Sequence, residues 1–166
     1  KNKENIINIR GGILLLFGAN NITIGGAGTG EGNVISGNGQ YGIYLQGNSA
    51  RPVTSNTILG NYIGVDATGN VALPNTAGIM MLAGENNNNI IGGTTASSKN
   101  VISGNNLGIA IVSGENNRII GNYIGTNADG TAAVANDFGV SIDAGNNIVG
   151  GNTAGSRNLI SGNNNG

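Results

Sequence analysis

The sequence predicts an all-β protein: a parallel β-helix (β-solenoid) of about five coils, each built from three short strands. Three observations carry this reading. "NVISGN" stands at 33–38 and again at 100–105, and "NLISGN" follows at 158–163. "NTILGNYIGVDATGNVALPN" (56–75) aligns without gaps with "NRIIGNYIGTNADGTAAVAN" (117–136), so two motif types alternate along the chain. The strings "GILLL", "GIYLQ", "GIMML", "GIAIV" and "GVSID" begin at Gly12, Gly42, Gly78, Gly108 and Gly139, about 30 residues apart. β-branched runs between Gly/Asn turns read as strands, and no helical period appears. A repeat of this length is one coil, with each strand pairing with its equivalent in the next coil. At about 4.8 Å per strand, five coils make a rod of roughly 24 Å. A β-sandwich would need antiparallel alternation and would not explain so strict a repeat.

Each unit contains three parts in fixed order. The first is the Gly-led strand, whose alternate residues Ile13/Leu15, Ile43/Leu45, Ile79/Met81, Ile109/Ile111 and Val140/Ile142 are expected to stack inward. The leading glycine is expected to supply a positive-φ corner. The second is an "xIxG" strand ending at Gly25, Gly60, Gly92, Gly121 and Gly150. The third is a segment ending in Asn. In the second unit this segment contains "LPNTAG" (73–78), which echoes a sortase signal but reads as third strand and turn. The second unit also carries an insertion around "NSARPVTS" (48–55). Asn38, Asn75, Asn105, Asn136 and Asn163 share the closing position, and stacked amides there form a predicted hydrogen-bonded ladder along the axis.

These G-I-x-I, "NVISGN" and "GNYIGT" strings resemble the right-handed parallel β-helix repeats of the pectin lyase-like superfamily, nearest to the tandem arrays of large secreted bacterial surface proteins. The resemblance covers about residues 5–166 and implies the right hand. It also implies an extracellular or cell-surface location. The chain reads as a single domain, 1–166, or a segment of a longer array, with a sixth coil due to begin at Gly166.

Composition limits the chemistry. There are 32 Gly and 31 Asn, only 9% charged residues, no Cys and no His. No basic patch exists to neutralise phosphates, which argues against nucleic acid. No apolar run reaches the roughly 18 residues of a membrane-spanning helix. Without His there is no Ser-His-Asp constellation and no zinc–His site. The acids are Glu4, Glu31, Asp66, Glu85, Glu115, Asp129, Asp137 and Asp143, and few fall at equivalent places in neighbouring coils. The resemblance implies clustered Asp or a close carboxylate pair for lyases and hydrolases, a pattern these positions do not display.

Four binding features remain. Tyr62 and Tyr123 are equivalent residues two coils apart and candidate contacts for sugar faces. The loops "DATGN" (66–70) and "NADGT" (127–131) faintly echo calcium loops through Asp66, Asn127 and Asp129, although each has one carboxylate and calcium takes six to eight oxygens. Glycine turns explain the same strings. The outward positions of the early first strands, Leu14, Leu16, Tyr44, Met80 and Leu82, predict an exposed apolar stripe and an interaction surface. The coil ends themselves leave strand edges that another coil would cover.

The sequence therefore predicts a non-catalytic, extracellular structural or adhesive β-helix segment, with itself or adjacent coils as partner and end-to-end assembly into a filament as its expected mode. The alternative is a carbohydrate-active or carbohydrate-binding β-helix with a polysaccharide partner. No cofactor is expected beyond the calcium echo.

Overall fold

The computed structural model describes residues 10–165. Strands follow in chain order: β1 (Gly11–Leu16), β2 (Thr23–Gly25), β3 (Val34–Ile35), β4 (Tyr41–Gln46), β5 (Val53–Thr54), β6 (Thr57–Leu59), β7 (Tyr62–Ile63), β8 (Ala77–Ala83) and β9 (Asn86–Asn87). They continue as β10 (Ile90–Gly92), β11 (Val101–Ile102), β12 (Leu107–Ile111), β13 (Arg118–Ile120), β14 (Tyr123–Ile124), β15 (Phe138–Ile142), β16 (Ile148–Val149) and β17 (Leu159–Ile160). They form three five-stranded sheets in the orders β1-β4-β8-β12-β15, β2-β6-β10-β13-β16 and β3-β7-β11-β14-β17, plus a two-stranded pair, β5-β9. Every strand pairing is parallel. The protein is an all-β parallel solenoid spanning about four coil-to-coil steps. Among the described residues the only helical pieces are two single 3₁₀ turns, Ala96–Ser98 and Ala154–Ser156.

Register follows from burial. Four columns of apolar side chains fill the interior: Ile13-Ile43-Ile79-Ile109-Val140, Leu15-Leu45-Met81-Ile111-Ile142, Ile24-Ile58-Ile91-Ile119-Val149 and Ile35-Ile63-Ile102-Ile124-Ile160. A slip of one residue would turn a whole column outward, so the pattern allows one register. The insertion in the second coil adds to this core: Val53 of β5 is fully buried, and β5 pairs with β9.

The two ends differ. In the first coil Leu15, Ile24 and Ile35 are buried to 6% exposure. In the last coil the matching Val149 and Ile160 are each 45% exposed.

Three sequence expectations change. The leading glycines Gly12, Gly42 and Gly78 do not adopt positive φ. They are needed for close approach: a Cβ on Gly42 would lie 2.6 Å from the Gly78 carbonyl oxygen, 3.0 Å from Ile63 Cγ2 and 3.2 Å from Asn75 Nδ2. The second strands are offset by one from the glycine alignment. Ile24 pairs with Ile58, so Gly25 stands opposite Leu59 and not Gly60. Finally, the third strand of the second coil is Tyr62–Ile63, in register with Val34–Ile35 and Val101–Ile102. The segment 70–75 that carries "LPN" is loop, with Val71 and Leu73 exposed, because Ile63 already fills the lumen position.

This offset creates two coil types. In the first, third and fifth coils the residue with positive φ is Gly25, Gly92 or Gly150, and the chain leaves the second strand into a loop at 26–33, 93–100 or 151–158. In the second and fourth coils it is Gly60 or Gly121, followed at once by Asn61 or Asn122 and the third strand. Their loops come later, at 65–76 and 126–137. Moving one left-handed residue by one position decides on which side of the third sheet the loop emerges.

Candidate functional site

Asparagine dominates the polar interior. The predicted column joins Asn38, Asn75, Asn105, Asn136 and Asn163. Asn38 Nδ2 donates to Asn75 Oδ1 (2.9 Å), Asn75 to Asn105 (2.9 Å), Asn105 to Asn136 (3.2 Å) and Asn136 to Asn163 (2.9 Å). The backbone N–H of each donor reaches the same oxygen. Two more ladders escaped the sequence reading. One runs Asn33-Asn61-Asn100-Asn122-Asn158 and the other Asn56-Asn89-Asn117-Asn147. In the first coil the latter column holds Ile22, whose N–H donates to Asn56 Oδ1. The signal was present in the strings themselves, because "NVISGN" carries a ladder Asn at each end and "GNYIG" carries one too. Each ladder marks one of the three corners. No buried side-chain polar atom among the described residues lacks a partner.

The outer face of the third sheet carries a walled groove. Loops 26–33 and 93–100 wall one side and loop 65–76 the other. Between them lies a groove of about 420 Å³ lined by Gly26, Gly32, Val34, Tyr62, Lys99 and Val101 among others. Tyr62 and Tyr123 both sit on this sheet, separated by Val101. They do not make one platform. Tyr62 lines the groove, whereas the Lys99 ammonium lies 3.6 Å from the ring centre of Tyr123, a cation–π contact. A Cβ at Gly130 would stand 2.8 Å from Tyr123 Cε2, and one at Gly69 3.3 Å from Tyr62 Cε2, so each ring also packs beneath the glycine turn of its own coil.

Asp66 and Asn127 close those turns. Asp66 Oδ1 accepts the N–H groups of Asn70 and Val71, both at 3.0 Å, and the Thr68 hydroxyl at 2.9 Å. These bonds to the charged form hold its carboxyl below the usual range, led by the Val71 N–H. Asn127 Oδ1 accepts the N–H groups of Thr131 and Ala132 in the same way. The oxygens are therefore aimed at the turn's own backbone. Asp129 is exposed, and among the described residues no three His, Cys, Asp or Glu side chains gather at metal-binding separation.

The predicted apolar stripe needs correction. Leu14 and Leu16 are exposed at 41% and 39%, but Tyr44 and Met80 are buried at 9% and 8%. The Tyr41 ring stacks on Tyr44 (4.7 Å between centres, 16° between planes), and Ala77, Ala110 and Leu107 complete the cluster. The cause is the corner glycine: Gly42 tucks inward, so Tyr41 lies on the same outer face as Tyr44 and covers it. Burial and the Tyr41 hydroxyl push the Tyr44 hydroxyl pKa up. Leu82 is exposed, but it falls at a β-bulge and leaves the stacked column.

Comparison with protein-family models, with curated proteins and with solved structures finds no match to this chain.

Proposed function

We propose that the chain is a non-catalytic structural or adhesive β-solenoid segment of an extracellular assembly, with adjacent solenoid coils as its partner. The observation that carries this reading is the investment of all three corners in axial asparagine ladders, while the described acids stay dispersed or, like Asp66, serve turns. Resemblance of the repeat strings to the pectin lyase-like superfamily, and to tandem arrays of secreted surface proteins, supports the location and a right-handed coil. End-to-end assembly into a filament is the extended form of this reading.

Sedimentation and electron microscopy of the purified chain, together with assays on neutral and acidic polysaccharides, test the proposal. Release of reducing ends or unsaturated products, lost on mutating one Asp, overturns it. A second reading, sugar binding without catalysis, is favoured by the groove beside Tyr62. A Tyr62→Ala chain that loses polysaccharide binding would select it.

A further inference from the structure

We propose that the groove beside Tyr62 receives a lysine side chain of a partner chain, its alkylammonium held against the Tyr62 ring. The inference goes beyond the structural role above. The internal repeat carries it, because the same rod shows the equivalent ring with a lysine on it.

Tyr62 and Tyr123 are equivalent residues of the second and fourth coils, two coil steps or about 10 Å apart on the third sheet. What faces each ring is set by the preceding coil, at the residue before its ladder Asn. The loops "IGGAGTGEGNV" (24–34), "IGGTTASSKNV" (91–101) and "VGGNTAGSRNL" (149–159) place Gly32, Lys99 and Arg157 at that position. Lys99 sends its ammonium to 3.6 Å from the ring centre of Tyr123. The first loop has no Lys or Arg anywhere in its length. Among the described residues, the cations lying over aromatic rings are Arg51 on Phe17 and Lys99 on Tyr123. Tyr62 instead borders the groove of about 420 Å³.

Position 32 cannot supply the cation in cis. A Cβ at Gly32 would overlap the Gly60 carbonyl oxygen, so the first loop lies too close to the second coil for any side chain there. The wall on that side is glycine, from Gly26 to Gly32, and Ala67 and Ala128 also line the groove. Such walls leave room for a slim aliphatic stem whose charged tip stays near water. Lys99 borders the groove as well, but its ammonium lies over Tyr123. A separation of about 10 Å is near the Debye length of physiological salt, so its repulsion is largely screened.

The first loop differs from the others in sign too. At the position of Ser98 and Ser156 it carries Glu31. Ser98 Oγ accepts the Thr95 N–H at 3.0 Å, and Glu31 Oε2 accepts the equivalent Gly28 N–H at 2.7 Å. The carboxylate closes the turn as the hydroxyl does and adds a negative charge to the glycine wall. A loop without its cation, with an added anion and an aromatic ring beside it, attracts a cation from outside.

The test titrates the full chain, carrying isotope-labelled tyrosine, with Nα-acetyl-lysine N-methylamide as the stand-in for a partner's lysine. Ring resonances are followed by NMR in about 0.15 M salt. The Tyr62 signals are expected to move and saturate in the millimolar range while those of Tyr123 stay. The norleucine analogue, which keeps the stem without the ammonium, should move neither. Lys99→Met should let Tyr123 respond as well, giving two sites. Glu31→Gln should weaken binding at Tyr62 at least twofold, and Tyr62→Leu should remove it. No response at Tyr62, or an equal response to norleucine, overturns the inference. A silent Tyr123 in Lys99→Met overturns the equivalence on which it rests, and unchanged affinity in Glu31→Gln overturns the part given to the carboxylate. Tighter binding of free n-pentylamine than of the lysine probe overturns a partner's lysine as the occupant. A Tyr62 response to a neutral oligosaccharide alone overturns it in favour of sugar. These readouts need neither assembly nor catalysis, so they fail separately from the proposed structural role.

Discussion

Asn105 and Asn136, 31 positions apart in sequence, share one oxygen: the backbone N–H and the Nδ2 of Asn105 both donate to Asn136 Oδ1, at 2.9 and 3.2 Å. Asn105 Nδ2 also donates backward to Ile63 O at 3.1 Å, so this one amide ties three coils together. Replacing Asn105 by Ala leaves the Asn75 backbone N–H and one Nδ2 hydrogen without their acceptor in a buried corner, while the Ile63 carbonyl keeps only the Ser103 N–H. The expected cost is about 1–3 kcal/mol, from lost hydrogen bonds to buried groups. Urea unfolding of Asn105→Ala measures it, and unchanged stability would remove the ladder from the account of the fold.

Gly78 and Gly30 should respond differently to Ala although one has ordinary and the other positive φ. A Cβ at Gly78 meets Gly108 O at 2.7 Å and Ile102 Cγ2 at 3.0 Å within a buried corner. Gly30 has φ +81° but open space around it. Gly30→Ala is expected to cost about 1 kcal/mol for the left-handed backbone. Gly78→Ala should cost about 3 kcal/mol, because two coils must separate to admit the methyl group. Thermal unfolding of the pair tests the order, and a Gly30 effect equal to that of Gly78 contradicts close approach as the reason for the leading glycines.

The outer cluster makes a third prediction. Tyr44→Ala removes a buried ring stacked on Tyr41 and is expected to destabilise by about 2–3 kcal/mol. Leu82→Ala, at 38% exposure on the bulge, should cost below about 1 kcal/mol. Denaturant midpoints of the two variants decide whether this face is packed structure, as the burial indicates, or a uniform stripe.

Acid should loosen the 66–71 turn before the rod. The carboxyl of Asp66 is held below its ordinary value of 3.8, so its contribution is complete above that pH and is lost as pH falls through the lower folded value. Amide exchange of Asn70 and Val71, followed by NMR from pH 5 downward, is expected to accelerate below about 3.8. Asp66→Asn should keep the turn and abolish the acceleration, since Asn127 makes the equivalent bonds without a charge. Unaltered pH dependence in Asp66→Asn would assign the transition to other groups.

Sequence alone determined the solenoid, its repeat of about 30 residues, the inward columns from Ile13 to Val140 and one asparagine ladder. Period-two apolar alternation and recurring Gly and Asn are local signals, legible without coordinates. What tertiary structure decided was register between residues some 30 positions apart. Stacking Ile24 on Ile58 moved the shared glycine by one, and stacking Ile63 on Ile35 made Tyr62–Ile63 a strand and 70–75 a loop. The same stacking brought Asn33, Asn61 and Asn100 into a second ladder and Asn56, Asn89 and Asn117 into a third. It folded Tyr41 over Tyr44 and placed Lys99 on Tyr123. The recurring Asn of "NVISGN" and "GNYIG" marks members of the second ladder, but which residues meet is decided by burial and hydrogen bonding between coils, while spacing only orders residues within a coil.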